Sequence, residues 1–428
     1  SAIRLHSILR AVTGNLDVVG GDTLGGFNPS YIPESELGLH EVLSPEQKAK
    51  QMGYDDHPVY TYRVAEMLKE PTEKVWGFPY ADIVMGCHMA NPTNVFRAMK
   101  TEQPYPIKAF IVLGNNALLS YPNQHQILEA MMNQELIVAH ELFMTPTAML
   151  ADYILPGDVF TERNHVADSW SWTTRLTLSQ KVVEPPEQAS STYQFWHDLA
   201  VRFGFGNEFP WQSIEEVLDH RLARSGRTFR EFEEQGFMEM PIPEYRKYRK
   251  TGFATPSGKV ELYSSILEEL GFDPLPYYRE GPATSPEYPY MVFTGVREDP
   301  FFQTGQRNVK ELRDRCPVPS VFIHPEDATR DGLNDGDWIS LETAHGKVSA
   351  QLSVQSSMKQ GHLRVPHGWW YPEMRGQESL AGAFLSSDAV LCSDDDEFLD
   401  YEQGIPHFKG FPGKVVKAEK PEHLQAAS

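Results

Sequence analysis

From Trp338 the chain alternates apolar and polar side chains with a period of two. Ile339 and Leu341 oppose Ser340 and Glu342; beyond the Ala344-His345-Gly346 turn, Val348, Ala350, Leu352 and Val354 oppose Ser349, Gln351 and Ser353. That period puts one set on a buried face, so the segment predicts a hairpin. Leu363 and Val365 continue the pattern to Pro366, which lacks an amide hydrogen, stops regular pairing and leaves His367-Gly368 at an edge. Upstream, the stretch from Pro325 to Arg330 predicts a short helix. Asp335-Gly336-Asp337 predicts a turn with positive φ at the glycine.

In an earlier region the period switches back and forth. Residues 109–113 read as a buried strand ending at Gly114, residues 123–133 as a helix with Ile127, Leu128 and Met131 inward, and residues 136–139 as a second strand. A second helix over 145–152 and a third strand over 153–155, stopped by Pro156, complete the alternation. Strand, helix, strand, helix, strand predicts a doubly wound parallel-sheet lobe whose ligands lie beyond the carboxyl ends of the strands. Gly114-Asn115-Asn116 and His140-Glu141 occupy those ends. A glycine there lets a ligand approach the backbone, and a carboxylate accepts hydrogen bonds from a ribose or a guanine edge.

Elsewhere the pattern is plainer. Leu5, Ile8, Leu9 and Val12 have helical spacing, stopped by Thr13-Gly14-Asn15, and a glycine-rich loop follows from Gly20 to Gly26. Short helical pieces are expected near 45–52 and 94–99. Over 192–234 an amphipathic helical pattern sets Phe195, Leu199 and Phe203 as a core stripe.

Composition narrows the function classes. At 428 residues, 40% hydrophobic and 11% aromatic, the chain predicts a folded, multidomain protein. With 38 basic and 59 acidic residues the net charge is −21, which repels nucleic acid and anionic membranes, so a phosphate ligand must be held locally by backbone amides and a few placed cations. No apolar run reaches the roughly 18 residues of a membrane span, and the start does not read as a signal peptide.

Several motifs fail on inspection. Cys87, Cys316 and Cys392 lack the spacing of a zinc or iron-sulfur site, and Cys87-His88 reads as a buried thiol before a metal ligand. Gly252 to Val260 resembles a phosphate loop, but its glycines are separated by five residues and Val260 stands where a magnesium-binding hydroxyl belongs; Thr255-Pro256-Ser257-Gly258 reads as a turn feeding a strand. His140-Glu141 lacks the second histidine of a zinc protease, and no GxSxG elbow occurs. The run Asp394-Asp395-Asp396-Glu397 reads as a solvated face before a calcium site.

Taken in order, the motifs Thr13-Gly14-Asn15, Gly20-Gly21, Leu113-Gly114-Asn115-Asn116, the run from Ile137 to Thr145, Thr147-Ala148, Ala151-Asp152, Ile154-Leu155-Pro156, Glu162, Thr255-Pro256-Ser257-Gly258-Lys259, the 325–370 pattern and Gly404-Ile405-Pro406-His407-Phe408-Lys409 form one series. The series resembles the molybdopterin oxidoreductase family that includes dimethyl sulfoxide reductase, formate dehydrogenase and acetylene hydratase. The resemblance spans nearly the whole chain but only the C-terminal portion of the family. The N-terminal cysteine cluster for a [4Fe-4S] centre, the first dinucleotide-binding lobe and the metal-ligating residue have no counterpart, so the chain is expected to be a fragment or one part of a split enzyme.

The resemblance implies an α/β region over 1–285, with its lobe near 107–210, and a double-psi-type, six-stranded β-barrel over 286–428. It implies two pterin guanine dinucleotides carrying molybdenum or tungsten, and a two-electron oxygen-atom transfer or dehydrogenation of a small substrate, with hydration at tungsten as an alternative. Gly114, Asn115, Asn116, Glu141 and Asp152 are implied at the guanosine end, although Glu141 replaces the usual aspartate. Arg297, Glu298, Gln303, His367, Gly368, Phe408 and Lys409 are implied at the phosphate and pterin parts; Phe301 and Gln303 depart from the polar residues found there. Arg4 is the catalytic candidate, from its spacing to Thr13-Gly14-Asn15. The implied partners are the remainder of the catalytic subunit and an iron-sulfur electron-transfer subunit. The compartment stays open between cytoplasm and periplasm. The rivals are a cofactor-less scaffold, as in the large electron-transfer subunit of respiratory NADH dehydrogenase, and a free-standing pterin-carrying module. Filled glycine turns would favour the scaffold.

Overall fold

The computed structural model describes residues 2–24, 31–167, 175–239, 244–374, 376 and 379–425; Gly25 and Gly26 of the glycine-rich loop lie outside the described residues. The chain forms two compact units that interleave along the sequence: 1–91, 157–279 and 402–404 in one, and 92–156, 280–401 and 405–428 in the other. The lobe segment 92–156 thus clusters with the barrel rather than with residues 1–91.

In the first unit, Tyr62–Trp76 is the longest helix, opened by the Thr61 side chain and closed by Gly77 at φ 81°. A short antiparallel sheet, His165–Ala167, Arg175–Ser179 and Phe237–Glu239, packs Val166, Leu176 and Met238 against Leu218, Leu222, Phe229 and Phe232. The Phe195, Leu199, Phe203 stripe is not core. On Thr192–Arg202 only His197 is buried, and Phe203 is 70% exposed. Leu199 and Phe203 line an open groove with Tyr193, Trp196 and Phe209. The Thr255 to Gly258 turn forms, Gly258 N donating to Thr255 O, but no strand follows: Glu261 instead accepts from the amides of Ser257 and Ser265 and curls the segment.

The second unit holds a parallel sheet in chain order, β1 (Ala109–Leu113), β2 (Leu136–Glu141) and β3 (Tyr153–Pro156), with Gln124–Met132 as the crossover helix. Asn123 caps that helix, its side-chain oxygen accepting from Gln126 N. The helix expected over 145–152 shrinks to a single turn, Ala148–Leu150. The Thr145 hydroxyl takes the Ala148 amide, Thr147 N and its hydroxyl turn to Asn116 Oδ1, and Pro146 between them has no amide to donate.

The barrel closes through six strands, β4 (Tyr290–Val296), β5 (Ser320–Ile323), β6 (Trp338–Glu342), β7 (Lys347–Val354), β8 (His362–Pro366) and β9 (Lys409–Lys417), in the order β7-β5-β8-β4-β9-β6. The hairpin has the expected register, Lys347 opposite Glu342 and Ala350 opposite Ile339. Pro325–Arg330 is the short helix, and Gly336 sits at φ 82° in the turn before β6. Ile339, Leu341, Val348, Ala350, Leu352, Leu363 and Val365 fill the interior with Val292, Val321 and Ile323. Alternation along β4, β6 and β7 supplies most of this interior.

Lobe and barrel share a second core in which Leu118, Leu119, Ile127 and Met131 pack with Trp370, Leu380 and Ala383. Asp394 pins the join. It is 6% exposed rather than solvated, because Asn123 and Gln126 of the lobe donate to its two oxygens and Arg97 reaches its carbonyl. Only the following acidic residues face water. Asp394→Ala would strand two amides, and we expect it to cost about 3 kcal/mol in urea unfolding. An unchanged midpoint would show that the carboxylate does not carry the join.

Candidate cofactor-binding edge

β1 ends at Gly114, whose amide still donates to His140 O while its φ turns to 56°. A Cβ at this position would meet no atom within 4 Å, so the space beside the turn is open rather than filled. Asn115 is exposed and Asn116 is 5% exposed. The Asn116 Oδ1 accepts from Thr147 N and, at 2.7 Å, from Thr147 Oγ1, yet its Nδ2 has no partner. A buried orphan donor costs about 1–3 kcal/mol and marks a place where a ligand or water belongs.

Glu141 closes β2 beside the turn. Burial raises its carboxyl above the usual range, against the opposing pull of the Leu142 amide, the His140 charge and the Phe143 amide. Its Oε1 accepts from Leu142 N at 2.8 Å. A ligand bringing N–H donors would offset the desolvation. Leu142, Phe143 and Met144 follow as an exposed apolar lip.

Asp152 does not join this group. It precedes β3, and its Oδ2 accepts from Ile137 N at the other end of the sheet, about 13 Å away along β2 from Glu141 at ~3.3 Å per residue. Parallel strands put residues that precede a strand and residues that end one on opposite edges.

On the barrel side the organising group is Asp388, which the sequence reading overlooked. Its carboxylate is fully buried and accepts from Gly295 N (2.9 Å), Gly368 N (2.7 Å) and His367 Nδ1 (3.1 Å). Gly295 and Gly368 sit at φ 67° and 62°, where side chains are strained. His367 is 8% exposed; its carbonyl is bonded by Arg307, and its ring meets Phe408 edge-on with centroids 6.0 Å apart. Burial disfavours the imidazolium, but the charge and hydrogen bond of Asp388 raise His367 above its ordinary 6.5.

Stability from a raised histidine is complete below the unfolded pKa and is lost as pH rises through the folded one. We therefore expect unfolding free energy to fall above pH 6.5 in the native protein, and the difference from His367→Gln to shrink over the same interval. Parallel pH curves in urea titrations would refute it.

The neighbouring candidates divide. Arg297 does not pair with Glu298: the guanidinium is stacked 4.8 Å from the Phe302 ring centroid, whereas Glu298 is buried and has a carboxylate oxygen without a partner. Burial raises Glu298, with the Cys316 thiol and Arg307 pulling it back. Gln303 stands at φ 52° on the exposed side of its turn, and its carbonyl accepts from Arg307. Phe408 borders Gly295, its carbonyl accepting from Thr294; Lys409, opposite Phe293 on β9, is exposed.

Arg4 does not present a free guanidinium. It belongs to the other unit, where it donates to Glu402 Oε1 (2.8 Å), Pro274 O (2.6 Å) and Asp273 O (3.2 Å). Two carbonyls and a carboxylate occupy the fork, so its role there is to anchor chain segments. Cys87 is a buried thiol that burial pushes up to about 12 and that donates to Val84 O.

Both groups belong to the second unit, and their neighbouring turns are in contact. The helical turn Ala117–Ser120, which follows Asn116, packs against the 388–391 turn that carries Asp388, and Asn123 N donates to Cys392 O. An orphan amide, an open glycine turn, a half-buried carboxylate, an imidazole and nearby cations are the donor set that a phosphate-linked pterin nucleotide requires. The residues fit that group.

Two family models match the chain: Molybdopterin oxidoreductase over residues 47–202 and Molydopterin dinucleotide binding domain over 291–396. Acetylene hydratase of Syntrophotalea acetylenica is 43% identical over 98% of this chain and 58% of its own length. Dopamine dehydroxylase of Eggerthella lenta is 25% identical over 97% of this chain and 46% of its own, and a dimethyl sulfoxide/trimethylamine N-oxide reductase of Rhodobacter capsulatus is 26% identical over 66% and 38%. The solved acetylene hydratase from Pelobacter acetylenicus superimposes with a TM-score of 0.92 at 43% identity, over 97% of this chain and 58% of that one. The chain spans about half the length of the curated relatives it matches. With its closed six-stranded barrel and its matches to both family models, the chain belongs to the molybdopterin oxidoreductase family.

Proposed function

We propose that this chain is the dinucleotide-gripping part of a bis-molybdopterin guanine dinucleotide enzyme that performs a two-electron reaction, oxygen-atom transfer or dehydrogenation, on a small substrate. The observation that carries the reading is the presence in one unit of the open Gly114 turn, orphan Asn116 and the Asp388-held His367-Gly368 edge, with the turn after Asn116 packed against the turn of Asp388. When bound, the cofactor supplies the two-electron change at molybdenum or tungsten. The chain's residues bind and orient it. Asn116 Nδ2 and Glu141 address the guanosine, while His367, Arg297 and Lys409 address the phosphates and pterin.

The remaining length of the relatives would carry the metal ligand and a [4Fe-4S] cluster, and an iron-sulfur subunit would exchange electrons with it. A second reading, tungsten-dependent hydration, is favoured by one observation, the 43% identity with acetylene hydratase over nearly all of this chain.

The test is direct. The protein is purified with its complementary part, denatured, and assayed for molybdenum, tungsten and fluorescent oxidised pterin. Absence of both metal and pterin would support the scaffold reading instead. If they are present, consumption of acetylene without an electron acceptor selects hydration, and dye-linked turnover selects redox chemistry.

A further inference from the structure

We propose that Asp388 is a positioning residue for the cofactor edge: its buried carboxylate holds His367 in the Nδ1-protonated tautomer and ties the Gly295 and Gly368 turns to one point, leaving His367 Nε2 as the atom offered to the cofactor. The proposal rests on the reading above and deepens it.

Three donors converge on one side chain, and they come from different places. Gly295 lies near the end of β4, His367-Gly368 follows β8, and Asp388 itself opens the short turn after Ala383–Ser386. A carboxylate is the side chain suited to accept from all three, because it has two oxygens and no hydrogen of its own. Both oxygens lie 3.1 Å from His367 Nδ1, so that nitrogen carries the proton. The hydrogen bonds of the ring to the described residues all run through Nδ1, and the side chain keeps 10% of its surface exposed. The charges facing the ring are Asp388 and, through its bond to the His367 carbonyl, Arg307; Phe408 supplies the remaining wall. Cys392 Sγ donates to the Asp388 carbonyl and meets the Thr294 hydroxyl, so the main chain of Asp388 is held by uncharged neighbours. The arrangement orients an imidazole by a second residue, as outer-shell carboxylates do for metal-bound histidines.

Asp388→Asn keeps the shape but replaces one acceptor with a donor, which then faces His367 Nδ1–H and, depending on its orientation, the amide of Gly368 or of Gly295. The experiment uses the purified full chain with its complementary part, 15N-labelled at histidine, with the His367 signals assigned by their disappearance in His367→Gln. In the native protein the neutral ring should be protonated at Nδ1. In Asp388→Asn the Nε2-protonated form should gain, and pterin released per protein on denaturation should fall roughly tenfold. His367→Gln, with Asp388 intact, should also lose pterin.

A native ring protonated at Nε2 overturns the proposal without recourse to any variant, so failure of Asp388→Asn to fold does not protect it. An unchanged tautomer or unchanged pterin content in Asp388→Asn also overturns it. If the native protein releases no pterin, the cofactor reading fails and takes the ligand half of the proposal with it, while the tautomer still reports separately on the carboxylate.

Discussion

Replacing Arg307 with methionine is expected to lower unfolding free energy by about 3–5 kcal/mol, the largest single effect in the barrel unit. The guanidinium is 1% exposed and donates to the carbonyls of Gln303 (2.8 Å), Gly305 (3.0 Å) and His367 (2.8 Å). It also lies 4.4 Å from the Phe301 ring centroid and 5.1 Å from that of Trp369. Burial pushes it down to about 10, opposed by Glu298, so it stays charged at neutral pH. Methionine would preserve bulk but strand three carbonyls and leave Glu298 with Arg364 as its remaining cation. Lysine should recover little, because one ammonium cannot reproduce the planar fork that spans three acceptors. Urea unfolding of both variants decides the matter; near-native stability of Arg307→Lys would mean that charge alone suffices.

The second large effect is expected at Gly368. An alanine there must adopt φ 62°, at about 1–2 kcal/mol, and its Cβ would overlap Thr304 Cγ2 and press on Thr304 Cβ (3.1 Å) and Cα (3.3 Å). Overpacking of this kind adds about 1–3 kcal/mol, for a total of about 2–5. Thr304 cannot simply retreat, because its carbonyl accepts from Trp370 Nε1 at 2.8 Å. Adding Thr304→Ala should therefore restore part of the loss by removing Cγ2, while the backbone strain and the pressure on the Thr304 main chain persist. If the double variant is no more stable than Gly368→Ala, the Cγ2 overlap does not contribute, and the cost lies in the backbone strain and the contacts with Thr304 Cβ and Cα.

Both predictions concern residues of which sequence reasoning saw only half. Gly368 was legible as a residue just past a strand-stopping proline, but its packing against Thr304 was not, since the two are brought together by the barrel. Arg307 and Asp388 carried no local signal. Each sits in a stretch without clear periodicity, and each acquires its role from carbonyls or amides contributed by other segments. The Asp394 run shows the same thing in reverse: an acidic stretch near the end of a chain reads as solvated, until Asn123 and Gln126 of the lobe arrive to bury its first member. Arg4 matched a spacing, yet Glu402, almost four hundred residues away, is what engages it.

Local pattern determined the elements whose identity depends on neighbours in sequence. The β6–β7 hairpin, the Pro325–Arg330 helix, the Gly114 strand end and the edge after Pro366 follow from side-chain period, φ restriction and missing amides, which act within a few residues. Tertiary structure alone decided which polar groups are buried, and with whom: Asp388 under two glycine turns, Glu298 turned away from Arg297, Asp152 at the wrong end of its sheet. Burial converts a weak surface interaction into one worth several kcal/mol, and burial is a property of chain segments that meet only after the barrel has closed.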